Sequence, residues 1–109
     1  MEQWIDARQL RAFLELARRG SFTEAGRALH LTQSAVSHAV KALETELGCQ
    51  LVFRLGREIQ LSPHGMELAR HAEAIEQSMA RARQHLAELD QNPRGRIRIG
   101  CTPAAAQFF

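Results

Sequence analysis

Thr32, Gln33, Ser34, Ser37, His38 and Lys41 fall within ten residues of one another. Each can exchange a hydrogen bond or carry charge. Gln, Ser and His side chains donate or accept at the edges of nucleic-acid bases, and Lys suits a phosphate. Acidic residues return only at Glu44 and Glu46. A plain solvated helix face is the alternative, but such faces mix Glu and Lys at i, i+4, and this one lacks those pairs over its first two turns. Readout in a DNA groove needs short polar groups near a helix start. The set is therefore read as a base-reading surface.

Other chemistry finds little support. The five histidines are His30, His38, His64, His71 and His85. Only His64 and His71 could share a helix face, and two turns apart they are too distant for one metal ion, because zinc sites need tighter clustering. No Gly-rich phosphate loop or activated nucleophile is present, so neither an enzyme, a cofactor nor a metal is expected. Cys49 and Cys101 form no CxxC pair and read as reduced structural thiols.

The polar set must be held by a helix and its supports. Asp6 and Gln9 fit a capping box that opens a first helix, with Leu10, Phe13, Leu14 and Ala17 on one apolar face and Gly20 at its stop. Trp4 and Ile5 precede the cap as an apolar staple or a dimer contact. Ser21 and Glu24 form a second capping box, opening a short helix with Ala25, Ala28 and Leu29 inward. Gly26 inside that helix costs about 1 kcal/mol relative to Ala, which close approach of a neighbouring helix would justify. His30 and Leu31 make the turn. Thr32 caps the third helix, which runs to Leu47 before Gly48 and turns Val36, Val40, Leu43 and Leu47 inward. Two short helices joined by a tight turn, the second amphipathic, have the form of a helix-turn-helix.

After it the period changes. Leu51 to Phe53 and Glu58 to Leu61 read as two strands around Leu55-Gly56, with Arg54 and Arg57 flanking the tip. Beside a helix-turn-helix such a hairpin is a wing, whose arginines can enter a minor groove or pair with phosphate. Ser62-Pro63 starts a long helix, with Pro at the first helical position. Leu68, Ala72, Ile75, Met79, Ala82, Leu86 and Leu89 follow at spacings alternating four and three, a heptad stripe about 33 Å long at 1.5 Å per residue. So long a stripe implies a homodimer seam, although the small Ala72 and Ala82 leave room for part of it to pack on the N-terminal domain. Gln91 to Gly95 is a linker. Arg96 to Gly100 alternates like a strand, and with nothing to pair with it is expected to open a second domain.

The fold class expected is mainly α: a winged helix-turn-helix over 1–61, a linker and dimerisation helix over 62–91, and a hinge with the first strand of another domain over 92–109. Net charge is only +2 over 109 residues, with 24% of residues charged, a weak electrostatic footprint for a nucleic-acid binder. Residues 1–61 hold eight cationic side chains against seven acidic ones. Placement of a few basic groups, not bulk charge, must carry any DNA affinity. A winged-helix interaction module that never meets DNA is the rival reading. No apolar run approaches the roughly 18 residues of a membrane span, and MEQWIDARQ lacks the pattern of a secretory signal. A cytoplasmic location without membrane contact is expected.

With these elements in order, the chain resembles the N-terminal part of LysR-type transcriptional regulators. The matching residues are LRAFLELARRGSFTEAGRALHLTQSAVSHAVKALETELGCQL, Arg54 with Gly56-Arg57, and LSPHG at 61–65; RGRIRIGCTP at 94–103 is similar to the first strand of the family's effector domain. The resemblance implies a dimer, often assembled into tetramers, with antiparallel linker helices on an interrupted dyad site in double-stranded DNA. It also implies a two-lobed sensor for a small-molecule effector in the full protein. Carried over by position, Thr32, Gln33, Ser34, Ser37 and His38 read bases and nearby phosphates, Lys41 meets the backbone, and Arg54 and Arg57 belong to the wing. Thr102 falls where the sensor can touch its effector. His38 stands where the family often has Arg, so the guanidinium fork that pairs with guanine is missing there. Val52-Phe53 replaces the commoner Phe followed by a polar residue, which bears on the packing of the first wing strand.

Overall fold

The computed structural model describes residues 4–91. Cys101, Thr102 and the strand expected at Arg96–Gly100 lie outside them. Four helices and one hairpin follow in order: α1 (Ala7–Arg19), α2 (Phe22–Leu29), α3 (Gln33–Leu47), β1 (Val52–Leu55), β2 (Glu58–Leu61) and α4 (Pro63–Gln91).

The helix starts are fixed by side chains. Asp6 accepts from the Arg8 and Gln9 backbone N–H groups at 2.9 and 3.1 Å, Ser21 from Glu24 at 3.2 Å, and Thr32 from Ala35 at 3.0 Å. Each satisfies donors that the helix leaves open. Both capping boxes are half-made. The Gln9 Oε1 atom is buried without a partner, and the Glu24 carboxylate turns to Arg27 at 3.0 Å. An ion pair one turn along replaces the reciprocal bond.

The core joins Ala12, Phe13 and Leu16 of α1, Phe22 and Ala25 of α2, Val36, Val40 and Leu43 of α3, and Leu51 and Val52. The sequence stripe on α1 is correct for Phe13 and Leu14, while Leu10 and Ala17 are half-buried. Leu16 lies off that stripe yet is fully buried, because α1 packs against both α2 and α3. Ala28 and Leu29 are half-buried. Leu47, expected inward, is 38% exposed, since the last turn of α3 outruns the elements that cover Val40 and Leu43. Gly26 is explained differently from the expectation. A Cβ there would stand 2.6 Å from the Leu31 carbonyl oxygen and 3.6 Å from Gln33 N at the start of α3, so the tightest crowding comes from the α2–α3 turn.

The strands pair antiparallel in the register Val52↔Leu61, Phe53↔Gln60, Arg54↔Ile59 and Leu55↔Glu58. The two-residue turn is therefore Gly56-Arg57, one residue beyond the expected tip. Gly56 has φ +66, the left-handed value that glycine supplies at the first turn position of a tight hairpin. Val52 is buried and Phe53 exposed, so the β-branched residue of the pair meets the core. Two bonds anchor the wing: the Ile59 N–H donates to the Gly20 carbonyl at 3.0 Å and the Ser62 N–H to Leu51 at 2.9 Å. Glu44 adds a third tie, its Oε2 accepting from the Leu51 and Val52 N–H groups at 2.7 and 3.2 Å.

The chain divides into two units, Met1–Ala74 and Ile75–Phe109. The first turns of α4 pack with the core and belong to the first of these units. Ser62 caps the helix, accepting from the Gly65 N–H at 2.9 Å. A Cβ on Gly65 would lie 2.1 Å from the Leu51 carbonyl oxygen, so only glycine permits this approach. Leu68 and Ala69 pack on the core and Ala72 is 2% exposed. Arg18 clamps Glu73 through two bonds of 3.0 and 2.8 Å. Leu68 and Ala72, expected in the dimer seam, are thus used within the first unit. In the second unit Ile75, Met79, Leu86 and Leu89 are between 43 and 63% exposed, with Ala82 exposed among them.

Candidate nucleic-acid interface

α3 is the element on which the polar set stands. At about 100° per residue, Val36, Val40 and Leu43 cluster on one side. Ser34 and His38 project almost opposite that buried face. Gln33, Ser37 and Lys41 lie to one side of this ridge, and Ala35, Ala39 and Ala42 to the other. Thr32, Gln33, Ser34, His38 and Lys41 are exposed, and Ser37 is half-buried.

An open groove of about 570 Å³ runs along the polar side, lined by Gln33, Ser34, Ser37, His38, Lys41 and Arg54. Six of the eight residues singled out by sequence therefore meet in one place. Arg54 arrives from β1 and turns back toward α3, its Nη2 donating to Ser37 Oγ at 3.1 Å. Its guanidinium sits 4.1 Å above the centre of the Phe22 ring, a cation–π contact worth about 0.5–1 kcal/mol at an exposed site. Arg54 thus forms a wall of the α3 groove. Arg57 lies in the hairpin turn, outside the residues that line this groove. Thr32 uses its oxygen as an acceptor in the cap, which leaves its O–H free to donate. Thr23 Oγ1, on α2, donates to Gln33 Oε1 at 3.4 Å, restricting that amide.

The other side of the ridge carries a second open groove of about 620 Å³. Asp6, the cap of α1, with Arg8 and Gln9 in its first turn, faces Thr32, Ser34, Ala35, His38, Ala39 and Ala42 across it. Phe22, Thr23 and Arg8 escaped the sequence reading. Nothing in the local pattern of α1 or α2 announces proximity to α3, which only their packing creates. The one acid of α3 that is half-buried, Glu44, is taken up by the backbone bonds to Leu51 and Val52. Among the described residues, no group of three His, Cys, Asp or Glu side chains could hold a metal ion, and no helix is long and apolar enough to cross a membrane.

Two supporting helices, a polar recognition helix packed on them and a β-hairpin beside it define a winged helix-turn-helix of the DNA-binding class. The family model for bacterial regulatory helix-turn-helix proteins of the lysR family matches residues 7–66, and the chain belongs to that family. Its relatives are transcriptional regulators and not enzymes. The SDS degradation transcriptional activation protein of Pseudomonas sp. (strain ATCC 19151) is 38% identical over 98 residues, covering 90% of this chain and 32% of its own length. The RuBisCO operon transcriptional regulator of Allochromatium vinosum is 38% identical over 95% of this chain and 34% of its own. The chain thus spans about a third of the length of these two relatives. Among solved structures, a BenM DNA-binding domain bound to catB site 1 DNA superposes with a TM-score of 0.76 at 26% identity, over 80% of this chain and 97% of that one. A CbnR DNA-binding domain–DNA complex gives 0.70 at 29% identity, over 76% and 95%.

Proposed function

We propose that this chain binds double-stranded DNA in a sequence-specific manner, as a homodimer on an interrupted dyad site. The observation that carries the reading is the convergence of Gln33, Ser34, Ser37, His38, Lys41 and Arg54 on one open groove. Ser34 and His38 meet base edges, with Thr32, Gln33 and Ser37 dividing their bonds between bases and adjacent phosphates. Lys41, Arg54 and Arg57 neutralise phosphates. The DNA complexes of the BenM and CbnR domains, which share this fold, support the same partner here.

The exposed stripe Ile75, Met79, Ala82, Leu86 and Leu89 supplies the dimer seam, and two dimers can join as a tetramer. The domain plan is a DNA-binding unit, a dimerising helix over the remainder of α4, and from 92 a hinge leading into an effector-binding domain. In the full-length protein a small-molecule effector governs the regulator, and Thr102 contributes to its site.

Titration of the chain with a duplex selected from a random-sequence pool, at low and at moderate salt, tests the DNA reading. Affinity should fall steeply with salt as counterions are released. An affinity independent of salt, or no duplex recovered, overturns it in favour of a protein-interaction module. His38→Ala should change base preference more than general affinity; equal losses on selected and random duplexes would remove His38 from the base-reading set.

A further inference from the structure

We propose that Arg8, on the first turn of α1, is a second phosphate clamp that grips the DNA strand opposite the one held by Arg54. The inference rests on the DNA-binding reading above and extends it to a residue outside the recognition helix and the wing.

Ser34 and His38 line both grooves, so they form the ridge that separates them. Arg54 bounds one groove and Arg8 the other, placing one arginine on each flank of the ridge. An α-helix seated in a major groove about 12 Å wide has a sugar-phosphate backbone on either side. If the ridge points at base edges, Arg54 faces one backbone and Arg8 the other. Arg8 is exposed and makes no ion pair among the described residues, so its charge is not already committed. Asp6 shares the groove, and its Oδ1 is held at the helix start by the Arg8 and Gln9 backbone N–H groups.

The alternation of small and polar residues on α3 fits the arrangement. Ala35, Ala39 and Ala42 lie on the Arg8 side, where they offer a phosphate strand no hydrogen bonds of their own. Among the described residues lining this groove, Arg8 supplies the arginine cation, and it comes from a neighbouring helix. On the Arg54 side, α3 supplies Lys41, Ser37 and Gln33 itself. The two flanks are unequal, and the protein completes the poorer one from α1.

The test compares Arg8→Ala, Arg8→Lys and Arg54→Ala with the wild-type chain on a duplex recovered by selection. Each lost phosphate contact lowers the slope of log affinity against log salt by about 0.9. Over a fourfold rise in salt, Arg8→Ala should therefore lose about 3.5-fold less affinity than wild type. Base preference should be unchanged and Arg8→Lys should restore the slope. A scan of single uncharged methylphosphonates along each strand then locates the contacts. Wild-type sensitivity should vanish at one position in Arg8→Ala and at a position on the opposite strand of the same half-site in Arg54→Ala. An unchanged slope in Arg8→Ala, or both losses on one strand, overturns the clamp while leaving DNA binding intact. If wild type shows no salt-dependent binding, the DNA reading fails first.

Discussion

Replacing Gly26 by Ala should destabilise the domain and loosen its recognition helix, although helix propensity alone argues the reverse. In an open helix the exchange gains about 1 kcal/mol, because Ala loses less backbone freedom than Gly. Here the added Cβ would lie 2.6 Å from the Leu31 carbonyl oxygen, with Thr32 C at 3.5 Å and Gln33 N at 3.6 Å. All three are backbone atoms and cannot rotate away. Leu31 is also tied to this residue, its N–H donating to the Gly26 carbonyl at 2.8 Å. Relief therefore requires moving the turn that carries Thr32, the cap of α3. Overpacking of this kind costs about 1–3 kcal/mol. Set against the propensity gain, the net loss is roughly 1 kcal/mol, or about 4–8 °C in Tm for a domain of this size. Thermal unfolding followed by circular dichroism measures the first effect, and affinity for a selected duplex, measured well below Tm, the second. A raised Tm, with DNA affinity unchanged, would refute the steric argument and reduce Gly26 to an ordinary helical glycine.

Glu44→Ala should cost about 1–3 kcal/mol, because the Leu51 and Val52 N–H groups lose their acceptor in a part-buried place; a change within about 0.5 kcal/mol in urea unfolding would mean that water replaces the carboxylate. Ile75→Glu with Met79→Glu should convert a dimer to monomers in sedimentation, and a surviving dimer would place the seam elsewhere. The Arg18 guanidinium holds the Glu73 carboxyl below its ordinary value of 4.5. A lowered value adds stability above that pH, and the contribution disappears as pH falls through the lowered value. Glu73→Gln should accordingly lower Tm slightly at neutral pH, with the gap closing in acid. A gap that persisted or widened there would show that the ion pair contributes nothing.

The helix starts at Asp6, Ser21 and Thr32 and the buried positions Val36, Val40 and Leu43 were legible in the sequence, because caps and helical periodicity act between residues a few positions apart. The polar character of α3 was legible for the same reason, and with it most of the candidate site. Tertiary structure alone decided that Arg54 stacks on Phe22 and reaches Ser37, since a contact seventeen residues long in sequence leaves no local pattern. It also decided that Arg8 faces the recognition helix, that Glu44 serves the backbone of the wing, and that Gly65 admits Leu51. The heptad stripe shows the same division from the other direction. Its spacing is a property of the chain, but Leu68 and Ala72 joined the core because α4 begins under Leu51. Local sequence determines which groups a helix can present, and only packing determines which of them another element covers.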